Sequence, residues 1–298
     1  MGHPGREPHP PRLIKSHPNA NESIATGLVR LARLGKVNDT IMSQEYLESL
    51  NALIPLHRQV TGVHPALENH YPIAIAIDEQ FLIYDFDPVY SSYQFIKQAP
   101  TPMPIPTGVR AAFQLPDYAG RIACVVTPEI FDSQEGYVTI LHEFVHCYQY
   151  ETCEQHLKGQ LDVARDAQER GDFMWEINHP FPYTAENFTS GYQQFLGAID
   201  KGDPDVIQTV RNTLRRYLGR HDFEYMVWQE WKEGFARWIE NRLRVHFQLA
   251  LNQGGLRAPF SRVSFYAGGA AFIEYLFAQD PAVVLDLEIL FSRINQLT

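Results

Sequence analysis

EGYVTILHEFVHCYQYE, residues 135–151, divides this chain: β-rich runs precede it and helical patterns follow. The stretch is itself helical in pattern, and Asp132 and Glu135, three apart at its start, are spaced as a capping pair. Inside it His142, Glu143 and His146 spell H-E-x-x-H. Residues four apart share a helix face, about 6 Å apart along the axis. Two imidazoles so placed can converge on one tetrahedral zinc ion. Glu143, one step from His142, lies off the ligand line and can reach a water on the open side of the metal. Zinc lowers the pKa of such a water to about 7, and a carboxylate can then take its proton. Cys147 adjoins His146 but points about 100° away on a helix, so it is read as a packing residue.

Upstream, apolar positions at helical spacing predict a helix over 42–58. Two β-rich runs, 72–77 and 81–86, flank Asp78-Glu79-Gln80 and read as a hairpin. The proline-rich run 98–107 reads as a loop and 121–128 as a strand closed by Pro128. Downstream, helices are expected at 134–151, 154–169, 185–199, 204–219, 223–250, 266–278 and 281–296. Strands first and helices later predict an α+β protein with a sheet-bearing N-terminal lobe and a helical C-terminal lobe. The expected divisions are a disordered tail over 1–22, a lobe over 23–152 ending in the H-E-x-x-H helix, and a helical lobe over 153–298. The two lobes form one catalytic unit.

A catalytic zinc takes three protein ligands and leaves one position for water. VWQEWKEGFARWIENRLR, residues 227–244, offers Glu233 on another helix, with Gly234 and Ala236 small enough for close packing. Glu230, His179 and His221 are the alternatives. Glu240, seven residues after Glu233, is placed to hold a ligand histidine from behind. A structural zinc site is the poorer reading, because such sites are closed by four cysteine or histidine ligands. Manganese or cobalt would also suit two imidazoles and a carboxylate.

H-E-x-x-H followed by E-G-F-A-x-W-x-E (233–240) resembles the gluzincin branch of the zincin metallopeptidases, and most nearly its aminopeptidase N-like pattern. In that family a tyrosine, in a Y-x-x-G turn opening a later helix, hydrogen-bonds the developing oxyanion. Tyr266-Ala267-Gly268-Gly269 stands in the matching order here. The resemblance therefore implies a zincin-like fold with the active site between the lobes and one zinc ion held by His142, His146 and Glu233. Glu143 is then the general base and Tyr266 a transition-state donor. It further implies a peptide or protein substrate, hydrolysed at its peptide bond, and a strand over 121–127 that pairs with an extended peptide. The chain departs from the pattern in two places. Eighty-six residues, 147–232, separate the second histidine from Glu233, where the family has about a score. No G-x-M-E-N motif lies upstream, so aminopeptidase specificity is not implied. Within the insertion, 152–225, the run MWEINHPFPYTAENF is dense in aromatics and reads as a structured loop over the helical lobe. The rival expectations are a zinc hydrolase of a non-peptide amide or ester and a silent zincin-like binding protein. The latter would lack a base or a ligand, and neither is missing.

Composition bounds the rest. At 298 residues, 45% hydrophobic and 20% charged, the chain reads as globular. A formal charge of -10 argues against nucleic acid or an anionic membrane as partner. The basic run Arg211, Arg215, Arg216 and Arg220 has helical spacing and reads as a solvated face. Three cysteines form no disulfide framework, and neither a secretory signal nor an 18-residue apolar stretch is seen, so a cytoplasmic location is expected.

Overall fold

Apolar residues on a helical period build the first helix, α1, Leu47–Val60: Leu50, Leu53, Ile54, His57 and Val60 are all buried along it. The structure, a computed structural model, describes residues 44–296. The expected tail over 1–22 and the first residues of the expected helix over 42–58 lie outside that range. Of the described residues, 47–296 belong to one compact unit.

The sheet has five strands in the order β3-β2-β1-β5-β4. Strands β1, Ile73–Ile77, and β2, Gln80–Asp87, form the hairpin, with Ile77 opposite Gln80. Asp78 and Glu79 both take positive φ (48° and 61°), which matches the turn twist to that of the strands. β3, Ser92–Pro100, extends the pairing outward from β2. It reaches three residues into the run expected to be a loop. Pro100 is tolerated because β3 is an edge strand and ends there, where a missing N–H costs no ladder bond. β5, Arg121–Val126, is parallel to β1 and antiparallel to β4, Arg110–Leu115. The sheet is therefore mixed.

β4 was not anticipated, since RAAFQL is mostly half-exposed and lacks an apolar run. And β5, expected to be the strand open to a peptide, is interior; the edge on its side of the sheet belongs to β4. Ala74, Ala76, Phe81, Ile83, Ala123 and Val125 form a buried cluster on one face.

Helix α2, Gln134–Gln149, packs across β4 and β5. Its cap is not the expected Asp132–Glu135 pair: the Ser133 hydroxyl accepts the Gly136 N–H at 3.2 Å. A Cβ on Gly136 would lie 1.7 Å from the Ile130 carbonyl oxygen, so only glycine lets the helix start so close to the preceding turn. A wider turn, Tyr150–Glu154, leads into α3, Gln155–Lys158, and then α4, Asp162–Glu169. The single helix expected over 154–169 is thus broken at Gly159–Leu161. The short α5, Trp175–Asn178, and α6, Glu186–Lys201, follow.

The longest helical run, α7, spans Pro204–His246 and is interrupted at Gly219 (φ 71°, ψ -175°), a conformation that suits glycine. The interruption falls at the last residue of the helix expected over 204–219, and the run ends four residues short of the 250 expected for the helix over 223–250. Arg211 does not lie on a solvated face. Only 2% of its side chain is exposed, its Nη1 lies 2.5 Å from Glu230 Oε2, and Phe195, Phe223 and Phe272 surround the guanidinium. Removing one partner of such a pair costs about 3–5 kcal/mol. Arg215, Arg216 and Arg220 are exposed.

Helix α8, Arg262–Gln279, starts four residues before the expected 266, where the Ser264 hydroxyl accepts the Ser261 N–H. Helix α9, Leu287–Gln296, closes the described chain. No described helix is long and apolar enough to cross a membrane.

Candidate metal centre

Because α2 is regular through the motif, His142 and His146 stack on one face, with their Nε2 atoms 3.2 Å apart. The outer ring nitrogens are both occupied. His142 Nδ1 lies 3.1 Å from Glu240 Oε2, and a carboxylate can only accept, so Nδ1 carries the proton. His146 Nδ1 lies 2.8 Å from Gln149 Oε1, while the Gln149 amide donates to the Lys232 carbonyl at 3.1 Å. That second bond turns the amide oxygen toward His146, so Nδ1 is again the donor. Both Nε2 lone pairs therefore face inward at each other. Such an arrangement is unfavourable unless a proton or a cation lies between them.

Glu233 completes the group. Its Oε2 lies 3.5 Å from His146 Nε2, and the ligand atoms of His142, His146 and Glu233 all lie within 4.8 Å of one another. Tetrahedral zinc with Zn–N distances of about 2.0–2.1 Å needs nitrogens about 3.3 Å apart. The histidine spacing fits that requirement, and the donor set fits a divalent cation.

Electrostatics agree with a site that attracts positive charge. Burial opposes ionisation of Glu233, yet the His146 charge outweighs it and lowers the carboxyl pKa to about 2. Burial likewise opposes a charge on His146, but Glu233 raises its pKa to about 9. A cation in the site would replace that proton. Burial pushes the Glu143 carboxyl above its ordinary range, against the pull of the two histidines. The Glu240 carboxylate is held well below the usual range, despite burial, by His142, Arg237 and Asn252. Arg237 Nε and Arg244 Nε lie 3.0 Å and 2.8 Å from it, and Asn252 donates to it at 3.0 Å.

The alternative ligands go elsewhere. Glu230 is paired with Arg211 and accepts the Tyr192 hydroxyl at 3.2 Å. His179 Nε2 lies 2.7 Å from Asp222, and His221 Nε2 3.2 Å from Asp166. Cys147 is fully buried and free.

Tyr266 stands in the second turn of α8, not in a turn that opens a helix. Gly268 and Gly269 serve instead as a contact between helices. A Cβ on Gly269 would meet the Glu230 carbonyl oxygen at 2.3 Å, and one on Gly234 would meet Gly269 Cα at 2.7 Å. These glycines let α8 lie against α7, which carries Glu233. Burial and then the Glu233 carboxylate raise the Tyr266 pKa, so its hydroxyl stays protonated and able to donate.

The group opens into a cavity of about 580 Å³ whose walls include Glu143, His146, Glu233, Tyr266 and the edge strand at Arg110–Gln114. The insertion contributes as well: Phe173, Met174, Glu176 and Ile177 line the same cavity. The rest of the expected covering loop packs inward. Phe181 and Tyr183 lie against Phe265, their ring centres 5.0 Å and 5.6 Å from it. Glu176 is tied at 2.8 Å to Lys158 and at 2.9 Å to Lys232, which also pairs with Glu154 at 2.9 Å.

Sequence reasoning did not single out Gln149 or Lys232. Gln149 follows His146 by three residues on the same helix face, which is a usable signal. Lys232 carried none beyond adjacency to Glu233. Comparison with protein-family models, with curated proteins and with solved structures finds no match to this chain.

Proposed function

We propose that this protein is a zinc-dependent metallopeptidase of zincin-like architecture, with its gluzincin-type site between the sheet and the helices α7 and α8. The observation that carries the reading is the orientation of the two histidines. Both Nδ1 atoms are occupied by Glu240 and Gln149, and both Nε2 lone pairs converge beside the Glu233 carboxylate.

A zinc ion held there would acidify a water molecule and polarise a substrate carbonyl. The remaining work falls to the chain. Glu143, raised in pKa by burial, takes a proton from the attacking water as its oxygen bonds to the carbonyl carbon. The Tyr266 hydroxyl donates a hydrogen bond to the carbonyl oxygen as that oxygen gains charge. The C–N bond then breaks, and Glu143 passes its proton to the departing amine. The free edge of β4, which lines the cavity, suits an extended peptide added as a further strand.

The test is metal content and peptide cleavage measured together on wild type and Glu143→Ala. One zinc per chain in both, with cleavage in wild type alone, is the expected result. One zinc in both with no peptide cleaved would transfer the site to a non-peptide substrate. No metal in either would sink the reading.

A further inference from the structure

Four cationic side chains line the cavity, and they are not equivalent. Lys158 and Lys232 are each paired with carboxylates. Those pairs also satisfy Glu154 and Glu176, the cavity's carboxylates outside the metal group and Glu143. Apart from Glu143 and the metal group, no free carboxylate among the described residues is left there to receive a substrate amine. Arg110 and Arg262 have no ion-pair partner among the described residues. Arg110 is exposed at the cavity mouth, whereas Arg262 is half-buried.

Arg262 stands four residues before Tyr266 on α8, on the same helix face. Its guanidinium lies 5.6 Å from the Tyr266 ring centre. The other cation over that ring, Arg237 at 5.9 Å, is already committed to Glu240. The chain has 35 acidic residues against 25 basic ones, so carboxylates are not scarce. A half-buried arginine without one pays for desolvation and receives no ion pair. A ligand carboxylate would supply the missing partner through two parallel N–H···O bonds.

We infer that the cleft selects a substrate bearing a carboxylate close to the scissile bond, and that Arg262 is the residue that binds it. This rests on the peptidase reading above. The carboxylate has two sources, an acidic side chain or the free C-terminus of the peptide.

The test begins from a peptide that the wild type cleaves, N-acetylated and C-amidated, made in three forms. One carries Glu beside the cleavage site, one carries Gln there, and one carries Gln with a free C-terminal carboxylate. Dissociation constants are measured by calorimetry on the zinc-loaded Glu143→Ala protein, and kcat/KM on the wild type. Charge-assisted hydrogen bonds predict about ten- to hundredfold discrimination for one carboxylate form over the amidated Gln peptide. Which form gains identifies the source. Arg262→Gln, made in both backgrounds, is expected to bring the ratio to about one. Arg262→Lys retains part of it, because the charge remains but the fork is lost. Arg293→Gln, an exposed change of the same charge on α9, leaves the ratio as it was. Damage acting only through Tyr266 would slow all three peptides together and leave the ratio standing.

Peptides cleaved without any carboxylate preference, or a preference that survives Arg262→Gln, would overturn the inference and spare the peptidase reading. Cleavage of no peptide by the wild type would overturn both.

Discussion

Replacing Glu240 by glutamine tests whether the carboxylate behind His142 sets metal affinity. In the wild type Glu240 accepts the His142 Nδ1–H at 3.1 Å, with the two side chains only 6% and 9% exposed. That bond fixes the tautomer that turns Nε2 inward and makes the imidazole more basic. Loss of a hydrogen-bonding group behind a ligand typically weakens metal binding about 10–100-fold. Here the lower end is expected. Arg237, Arg244 and Asn252 already draw on the same carboxylate, and glutamine keeps an oxygen that can accept from Nδ1. The expected outcome for Glu240→Gln is a zinc dissociation constant raised about tenfold, or about 1.4 kcal/mol. Competition with a chromophoric chelator at fixed pH measures it. Glu240→Ala should do more, because it strands two guanidinium groups that are 9% and 14% exposed. A further loss of about 3 kcal/mol in metal-free stability is expected by urea unfolding. If Glu240→Gln binds zinc within twofold of wild type while His142→Ala loses it, the carboxylate does not tune the site.

Other consequences are open to direct measurement. Glu143→Ala should lower kcat about 10²–10⁴-fold with zinc content unchanged, the loss expected of a general base. Under the proposed mechanism Tyr266→Phe should lower kcat about 10²–10³-fold with little change in KM, because a bond to the developing oxyanion would strengthen only in the transition state; equal loss in both substrate binding and turnover would contradict that role. Gly234→Ala sets a Cβ 2.7 Å from Gly269 Cα and 2.8 Å from its carbonyl carbon, both backbone atoms. It should destabilise the fold by about 1–3 kcal/mol in a thermal or urea transition, and a neutral result would mean the two helices separate freely. Burial, with lesser repulsion from His57 and Arg58, lowers the His70 pKa to about 4. An unfolded histidine titrates at about 6.5, so the contribution is intact above that pH and is lost as pH falls toward 4. His70→Phe, which keeps the stack on Phe86 at 3.8 Å, should lose less stability than wild type between pH 7 and pH 4, by about 2 kcal/mol once solvent screening of this partly exposed ring is allowed for. Parallel pH profiles for the two proteins would refute it.

Some of this protein was legible from local pattern alone. The histidine pair converges because the 3.6-residue period is a property of α2 itself, and the turn at Asp78-Glu79 depends on two adjacent residues. Glu240 was suggested by its seven-residue spacing from Glu233, since both share one helix. Local pattern failed where the determining contact was distant. β4 has no apolar run because an edge strand needs burial on one face only. Arg211 reads as one of a solvated basic series until Glu230, on the far side of the Gly219 break, is folded back against it.

The sequence by itself determined the H-E-x-x-H helix, the hairpin, the paired imidazoles and the carboxylate beside them, because each follows from backbone periodicity and short-range sterics. Tertiary structure alone decided which acidic residue joins the histidines. Glu230 and Glu233 are one turn apart on α7, and only the rotation of that helix against α2 and α8 sends the first to Arg211 and the second to His146. It also decided the role of Gly268 and Gly269. In sequence they suggest a turn, but in the fold Gly268 lies against α6 at Tyr192 and Gly269 against α7 at Glu230, where no Cβ would fit. Side-chain chemistry is written along the chain, whereas convergence of groups from three helices depends on how those helices pack.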